Sequence, residues 1–416
     1  MTQPDIAQII ELEHAKVAKK FTAPGDDRYR FAIPELGVTF EVDRVRRDGH
    51  ELWGELSVLC SLPGARTVNG SLSIADFNFS SARSRQDRAK LLGTRCGAKD
   101  LDWNGLVEEL CQRVLQADRA GQPAVDLRSL ERPDLNDDML EVDGMPTPRR
   151  HSSIWFGDGG ALKSYLLLRF LGRLAEKGMP VAFFDWELGG EDHRDRLERL
   201  FPDGMPRILY ARCERPLVHE VDRLRRIVRD NSIEFSGFDS VAFACDGPPE
   251  AAEVAGRYFR AVRQIGGGSL HIAHVSKAEN ADAKPFGSTF WHNGARSTWY
   301  VKQDEASAGT DTLRIGLFNR KSNLGKLRQP LGYSINFGEE ITTFKRTDVA
   351  ASPDLAEKLS LPQKMAYMLR SGSKTMKEIA DELDAKPDTV KKAVYRNQGR
   401  FIVLDDGSVG LLERVR

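Results

Sequence analysis

The most chemically informative segment of the sequence is a glycine-rich stretch that ends in a lysine and a serine. It runs Gly157-Asp-Gly-Gly-Ala-Leu-Lys-Ser164, after a short apolar run and before an apolar segment with helical spacing. Glycines in this setting let backbone N–H groups turn toward phosphate oxygens, and the positive end of the following helix favours an anion. We therefore predict a phosphate-binding loop in which Lys163 reaches the β and γ phosphates of a nucleotide and Ser164 binds Mg²⁺.

The loop departs from the usual pattern, Gly-x-x-x-x-Gly-Lys-Ser, at one position. Leu162 stands where that pattern has its second glycine. Two interpretations therefore stay open, a nucleotide site and a glycine-rich turn that carries a surface lysine. For the nucleotide site, the predicted contact residues are Gly157, Asp158, Gly159, Gly160, Ala161, Leu162, Lys163, Ser164 and Tyr165.

Further residues that could act on a triphosphate lie at the ends of later apolar runs. Glu187 would polarise an attacking water molecule, and His274 would sense the γ-phosphate. Asp239 would hold Mg²⁺ through water, with Asp246 as a rival acid. Because parallel strands deliver ligand-binding side chains at their carboxyl ends, these residues are expected at one edge of a sheet. Each could instead be an ordinary structural carboxylate or histidine.

The elements that would position these residues form an α/β pattern. Residues 150–348 alternate short apolar runs with long amphipathic segments, which is typical of βαβ units and a mainly parallel sheet. The last runs indicate an antiparallel extension of that sheet. The predicted strands are 153–156, 181–185, 207–210, 237–243, 269–274, 297–303, 312–319 and 341–345.

Two further domains are predicted, one on each side of this core. Residues 1–145 indicate an α+β domain, with strands at 29–33, 38–45 and 52–58 and a helix at 103–120. A stretch rich in proline and aspartate then indicates a linker before the core. Residues 361–416 indicate three short helices and a hairpin with an Asp-Gly turn.

Composition excludes several classes of protein. The 416 residues include 61 Lys and Arg against 61 Asp and Glu, so any contact with nucleic acid must come from a local basic patch. The five cysteines show no Cys-x-x-Cys spacing, which argues against a zinc ribbon and a disulfide framework. No apolar run is long enough to cross a bilayer and no signal peptide is recognisable, so we expect a cytoplasmic protein without a membrane partner.

Residues 150–348 resemble the RecA-like AAA ATPases of the RepA type, which are hexameric helicases of plasmid replication and their phage relatives. The resemblance depends on the order and spacing of five segments: 157–164, 185–187, 239–240, 274–277 and 287–296. It implies a RecA-like fold and a Mg²⁺-dependent ATPase that works as a ring, with a hexamer favoured. In the roles it implies, Lys163 and Ser164 bind phosphate and Mg²⁺, Glu187 is the catalytic carboxylate, Asp239 the Walker-B acid and His274 the sensor.

The family also implies an arginine finger that a neighbouring protomer inserts into the site. Positive charge near the transferring phosphoryl oxygens stabilises the transition state. Arg296 is the first candidate, and Arg320 with Lys321 is the second. Either arginine could equally be a surface salt-bridge partner.

Two regions are candidates for contact with DNA. In RecA-like rings the segment after the sensor strand lines the pore. Here that segment contains Lys277 and Lys284. Phe286 or Trp291 could stack on bases, or their rings could instead fill the ATPase core. The second region, residues 361–416, resembles a winged helix-turn-helix. Its recognition helix would present Thr389, Lys391, Lys392 and Arg396 to a duplex groove. The small excess of positive charge keeps a protein-binding winged helix open.

The basic stretch 80–90 could touch nucleic acid or begin a solvated helix. Together the motifs predict ATP hydrolysis coupled to DNA binding or translocation, as in a helicase for replication or maintenance of a mobile element. One alternative is an ATP-switched DNA-binding regulator or replication-initiation adaptor that does not unwind DNA. A second is a degenerate nucleotide-binding scaffold, because Leu162 replaces a loop glycine.

Overall fold

The computed structural model describes residues 18–412, except residues 26, 98–100, 122–123, 132–137 and 276–284. The chain divides into two compact units, residues 1–132 and residues 133–416. No helix in the described ranges has both the length and the apolar character that crossing a bilayer requires.

The first unit is an antiparallel sheet with two helices on one face. Its strands are β1 (Lys20–Gly25), β2 (Arg28–Ile33), β3 (Val38–Asp48), β4 (Glu51–Cys60) and β5 (Ser71–Asn78), and its helices are α1 (Ala82–Cys96) and α2 (Trp103–Ala120). The strands lie in chain order, so β5 is an edge strand. Alternate residues of β4 are buried against the helices, among them Leu52, Leu56 and Val58. This is the predicted α+β architecture.

The second unit is built on a nine-stranded sheet, preceded by a hairpin. The hairpin is β6 (Met139–Val142) and β7 (Met145–Pro148); the sheet contains β8 (Ser152–Gly157), β9 (Val181–Asp185), β10 (Ile208–Arg212), β11 (Phe235–Asp239), β12 (Gly268–His274), β13 (Ser297–Gln303), β14 (Thr312–Ser322), β15 (Leu331–Phe337) and β16 (Thr342–Thr347). The order is β10-β9-β11-β12-β8-β13-β14-β15-β16, parallel from β10 to β13 and antiparallel beyond. The α/β class with a mainly parallel sheet is confirmed, and β15 is a strand that the sequence analysis missed.

Helices cover both faces of this sheet. They are α3 (Lys163–Glu176), α4 (Gly190–Leu200), α5 (Leu217–Asp230), α6 (Val241–Ala244), α7 (Ala252–Ile265), α8 (Thr289–Gly294) and α9 (Pro353–Ala356). Helix α3 buries its apolar side chains against one face, and α5 and α7 bury theirs against the other. A Cβ atom on Gly237 would lie 2.9 Å from side-chain carbons of Leu167 and Leu171, so this glycine lets α3 pack closely on β11.

The C-terminal part of the second unit has its own apolar cluster. Its elements are α10 (Leu361–Met368), β17 (Lys374–Thr375), α11 (Met376–Glu382), α12 (Pro387–Arg396), β18 (Phe401–Val403) and β19 (Ser408–Leu411). The cluster includes Met365, Ile379, Val390 and Phe401. The three helices and the hairpin lie where the sequence predicts them, while the division of the chain into three domains stays a prediction.

The buried imidazole of His271 should make the fold sensitive to acid. In β12, His271 is fully buried, with Tyr258 Oη 2.9 Å from Nδ1 and Ser269 Oγ 2.9 Å from Nε2. Burial lowers the pKa of His271 from 6.5 to about 3. The neutral ring therefore stabilises the fold fully above pH 6.5, and this contribution is lost progressively as the pH falls toward 3.

We expect unfolding at pH 5 to require about 2 kcal/mol less than at pH 7 because of this one group. Urea titrations at both pH values should show a smaller difference in the free energy of unfolding for His271→Gln than for the wild type. His50→Gln, which removes an exposed histidine from the first unit, is the matched control and should keep it. An equal pH difference in the wild type and His271→Gln would contradict this assignment.

Candidate nucleotide site

The predicted phosphate loop joins the end of β8 to the start of α3. A Cβ atom on Gly157 would lie 2.1 Å from Val301 O, so no larger residue fits at the end of this strand. Leu162 has φ 57° and ψ 22°, the left-handed conformation that glycine adopts freely and that costs an L-residue about 1–2 kcal/mol. The half-buried Leu162 side chain packs against the apolar cluster around α3. The backbone at position 162 therefore has the left-handed conformation that is typical of glycine, although the residue is leucine.

This geometry predicts different effects for two substitutions at position 162. Leu162→Gly removes the left-handed penalty and loses some apolar contact, so we expect the free energy of unfolding to change by less than about 1 kcal/mol and nucleotide affinity to be kept. Leu162→Val places a β-branched residue in a left-handed conformation, and we expect a loss of about 1–2 kcal/mol and weaker nucleotide binding. Urea unfolding and calorimetric titration with nucleotide test both. Equal behaviour of the two variants would show that the backbone of the folded protein is not left-handed here.

Lys163 begins α3 and turns back over the loop. Its side chain is buried, and Nζ donates to Gly157 O at 3.0 Å and to Asp158 O at 2.6 Å. Burial lowers the pKa of Lys163, while the charges of Asp239, Asp158 and Glu187 act in the opposite direction. The ammonium group therefore lies inside the loop, close to three carboxylates.

Asp239 ends β11 and is the buried carboxylate of the site. Burial raises the pKa of Asp239 to about 6, and the charges of Glu187 and Asp185 act in the same direction. A hydrogen bond with Ser164 lowers this pKa but does not cancel the effect of burial. Its Oδ1 has no hydrogen-bond partner among the described residues. The rival acid Asp246 lies elsewhere, half-exposed and 3.7 Å from an Nη atom of Arg257.

The chemistry of Ser164 and Asp239 fits a magnesium ion. A hydroxyl beside a buried carboxylate with an unpartnered oxygen supplies two of the hard oxygen ligands that Mg²⁺ prefers. The described residues contain no group of three or more His, Cys, Asp or Glu side chains placed to hold a metal ion. A magnesium ion bound here would thus also need oxygens from phosphate and water, as is usual at nucleotide sites.

Glu187 is held in place by the fully buried Asp185, a residue whose role the sequence analysis missed. Asp185 Oδ1 accepts the backbone N–H groups of Glu187 at 2.9 Å and of Leu188 at 3.2 Å. Its Oδ2 accepts Tyr210 Oη–H at 3.0 Å and lies 3.3 Å from His193 Nε2. Burial alone would raise the pKa of Asp185, but His193 and the two backbone N–H groups bring it below the usual value. The exposed carboxylate of Glu187 therefore projects from a fixed turn.

Asp185 should act on catalysis by positioning Glu187. Asp185→Asn keeps the Oδ1 acceptor for both backbone N–H groups, and we expect hydrolysis within about fivefold of the wild type. Asp185→Ala removes the acceptor, and we expect the turnover number to fall about 100-fold with little change in nucleotide affinity. Steady-state hydrolysis and titration separate the two effects. Equal losses in both variants, with affinity lost as well, would indicate a general structural role instead.

His274 completes the set at the carboxyl edge of the sheet. It ends β12 and pairs in register with Gly157 of β8. Burial first, and then the positive charge of Lys163, lower the pKa of the half-buried His274, so the imidazole is neutral at pH 7. The structure therefore brings together five predicted residues, from the start of α3 and the carboxyl ends of three strands. They are Lys163, Ser164, Glu187, Asp239 and His274.

The finger candidates lie at the start of β13 and within β14 of the same sheet. Arg296 is exposed and directly precedes β13, where its N–H donates to Ser152 O at 2.8 Å. Because Val301 of β13 pairs with Gly157, Arg296 is about 16 Å along the strand from the loop. The guanidinium of Arg320 lies over the rings of Tyr300 and Phe318, at 5.6 and 5.4 Å from their centroids.

Lys321, the companion of Arg320, has a structural role. Its Nζ donates to His292 O, Asn293 O and Ala295 O at 2.7–3.0 Å, and these carbonyls lie at the end of α8. Cations at this position satisfy carbonyl groups that a helix leaves unpaired at its C-terminus. This lysine is therefore engaged within its own chain.

The DNA-contact candidates have different outcomes. Lys277 and Lys284 lie outside the described residues. The interpretation of Trp291 as a base-stacking residue is wrong, because its ring is buried and its indole Nε1 donates to Pro249 O at 2.7 Å. Phe286 is 37% exposed.

The DNA-contact candidates on α12 share an exposed face, opposite the buried Val390 and Val394. They are Thr389, Lys391, Lys392 and Arg396.

No protein-family model and no curated protein matches this chain. Among solved structures, it is similar to one described as an ATPase domain, at 12% identity and a TM-score of 0.39, over 48% of this chain and 85% of that one. It is also similar to a KaiC-like protein from the hyperthermophilic archaeon Pyrococcus horikoshii OT3. That similarity has 15% identity and a TM-score of 0.37, over 48% of this chain and 91% of that one.

Proposed function

We propose that this protein is a Mg²⁺-dependent ATPase with a RecA-like core. The observation that carries the proposal is the convergence of Lys163, Ser164, Glu187 and Asp239 at the carboxyl edge of the parallel strands. This set supplies a phosphate-binding cation, two magnesium ligands and a carboxylate for the attacking water. A helix N-terminus at the same point adds unpaired N–H groups for the anionic substrate.

Each residue has a separate task in the proposed reaction. Lys163 exchanges its two loop carbonyls for phosphate oxygens of ATP, and Ser164 and Asp239 would hold Mg²⁺. When bound, the ion would neutralise charge on the phosphate oxygens. Glu187 orients the attacking water and accepts its proton, and the neutral His274 donates a hydrogen bond toward the γ-phosphate.

We also propose that the active form is a homo-oligomeric ring, with a hexamer favoured. Arg296 lies at the amino end of β13, opposite its own phosphate loop, and Arg320 lies within β14. Their location supports a role for one of them at the site of a neighbouring protomer, where positive charge would stabilise the transition state. The ATPase site would then be complete only in the assembly.

The exposed basic face of α12 supports DNA as the partner. We propose that residues 361–416 form a winged helix that binds duplex DNA, and that ATP hydrolysis drives helicase-like movement along a single strand held in the ring. The same basic face supports a second candidate, an ATP-switched DNA-binding regulator without unwinding activity.

Hydrolysis by the full chain with Mg²⁺, measured with and without DNA, tests these functions. Strong stimulation by single-stranded DNA supports the motor. Tight duplex binding that is lost in Lys391→Gln/Lys392→Gln, with negligible turnover, supports the regulator. Lys374→Gln/Lys377→Gln, two lysines that precede α12, is the control for net charge. Nucleotide turnover that no DNA changes, together with no detectable duplex binding, would overturn both DNA-linked functions.

A further inference from the structure

The edge strand of the first unit borders a groove that the ATPase does not use. The groove has a volume of about 470 Å³ and lies between β5 and helix α1. Leu91 contributes an exposed apolar side chain from α1, and the exposed side chain of Ile74 lies on the face of β5 that points away from the helices. We call it the β5–α1 groove; the residues that matter below are Ile74, Asp76, Arg88 and Arg95.

The backbone of β5 offers this groove unused hydrogen-bonding groups. Phe79 N–H donates to Leu52 O at 2.8 Å, so odd-numbered residues of β5 direct their backbone toward β4 and even-numbered residues direct it away. The reach of Arg88 Nη2 to Asp76 O agrees with this alternation. Within the described chain, no hydrogen bond to the backbone of Ile74 is found, and its side chain is 63% exposed. An added strand could pair here.

Two arginines of α1 line the groove without acidic partners. Arg88 is buried and bonds Ser73 Oγ and Asp76 O, and Arg95 bonds Leu72 O. Among the described residues, neither guanidinium lies in ion-pair reach of a carboxylate, and burial and Arg95 both lower the pKa of Arg88. Two cations are thus paired only with neutral oxygens.

The acids that line this groove are already paired. Asp76 forms an ion pair with Arg46 at 2.5 Å, and Asp87 lies 3.8 Å from Arg83. Because both carboxylates are already paired, Arg88 and Arg95 are the cations of the groove that could attract an anionic partner. A nucleic-acid strand offers no main-chain N–H and C=O groups to Ile74, whereas an extended acidic peptide offers these groups as well as carboxylates.

We propose that the β5–α1 groove binds an extended acidic peptide segment of a partner protein as a sixth strand. Its main chain pairs with Ile74, its carboxylates take Arg88 and Arg95 from their carbonyl partners, and an apolar side chain on the other face of the peptide contacts Ile74. Strand addition of this kind derives affinity from backbone hydrogen bonds and specificity from alternate side chains. The groove would recruit a partner through the first unit, independently of the nucleotide site.

The direct test is fluorescence anisotropy of the full chain with a labelled peptide about seven residues long, of alternating glutamate and valine. A strand pairs through only one of its edges, so N-methylation of one alternate set of amides should abolish binding and methylation of the other should spare it. Lysine in place of glutamate should weaken binding more than about tenfold. Equal binding of both methylated peptides would overturn strand addition, and failure of the parent peptide to bind at millimolar concentration would overturn the whole proposal.

Protein variants locate the site. Arg95→Gln should weaken peptide binding about tenfold, because a charge-assisted hydrogen bond is lost. Lys90→Gln on the same helix, at an exposed side chain outside the groove lining, is the matched control and should bind as the wild type does. Thermal unfolding of each variant verifies the fold. Tight binding of a single-stranded oligonucleotide that Arg95→Gln weakens, without peptide binding, would assign the groove to nucleic acid instead.

Discussion

Replacement of Lys163 by alanine is expected to reduce ATP hydrolysis by about 1000-fold and to weaken ATP binding. The wild-type ammonium group is buried in the loop and bonded to Gly157 O and Asp158 O, where it can exchange these carbonyls for phosphate oxygens. The methyl group of alanine leaves the phosphate charge without its lysine partner. Phosphate release at saturating Mg²⁺ and ATP is the measurement.

The control for this variant lies just beyond the other end of the same helix. Lys177 follows α3 and its Nζ donates to Glu141 O at 2.9 Å, far along the helix from the loop. Lys177→Ala should therefore hydrolyse ATP within about twofold of the wild type. Retention of near wild-type hydrolysis in Lys163→Ala would remove this lysine from the site.

Glu187→Gln is expected to separate binding from hydrolysis. The substitution keeps the side-chain shape and the turn that Asp185 fixes, but it removes the carboxylate that accepts a proton from water. General-base catalysis contributes about 100- to 10,000-fold, so we expect a loss of at least about 100-fold in turnover. ATP affinity should stay within about threefold, because Glu187 does not bind phosphate in this account.

Single-turnover hydrolysis and equilibrium titration measure these two quantities independently. Glu191→Gln, at an exposed acid in the first turn of α4, should leave both unchanged. An unchanged turnover in Glu187→Gln would show that another group activates the water.

The sequence predicted the parallel strands well because buried strands carry continuous apolar runs. The predictions at 181–185 and 297–303 agree with the observed bounds of β9 and β13. Strand β11 was predicted too late in the chain, because Ser236 and Gly237 interrupt its apolar run. Its structure supplies the reason, since Gly237 admits α3 and the buried strand nevertheless delivers Asp239.

Other features depended on contacts between residues far apart in the sequence. Strand β15 was missed, although Leu331, Tyr333 and Ile335 alternate as strand residues do. Asp185 contacts residues from three separate elements, so no local sequence pattern specifies its environment. The available signal was an aspartate at a strand end, two residues before a glutamate. The burial of Trp291 against α7 likewise depends on tertiary packing.

Calorimetric titration of the full chain with a non-hydrolysable ATP analogue and Mg²⁺ tests most directly whether a loop with leucine in a left-handed conformation surrounds a triphosphate. We expect saturable binding of one nucleotide per chain, lost in Lys163→Ala and kept in Leu162→Gly. No occupancy at millimolar nucleotide, in wild-type protein that unfolds cooperatively, would contradict this expectation.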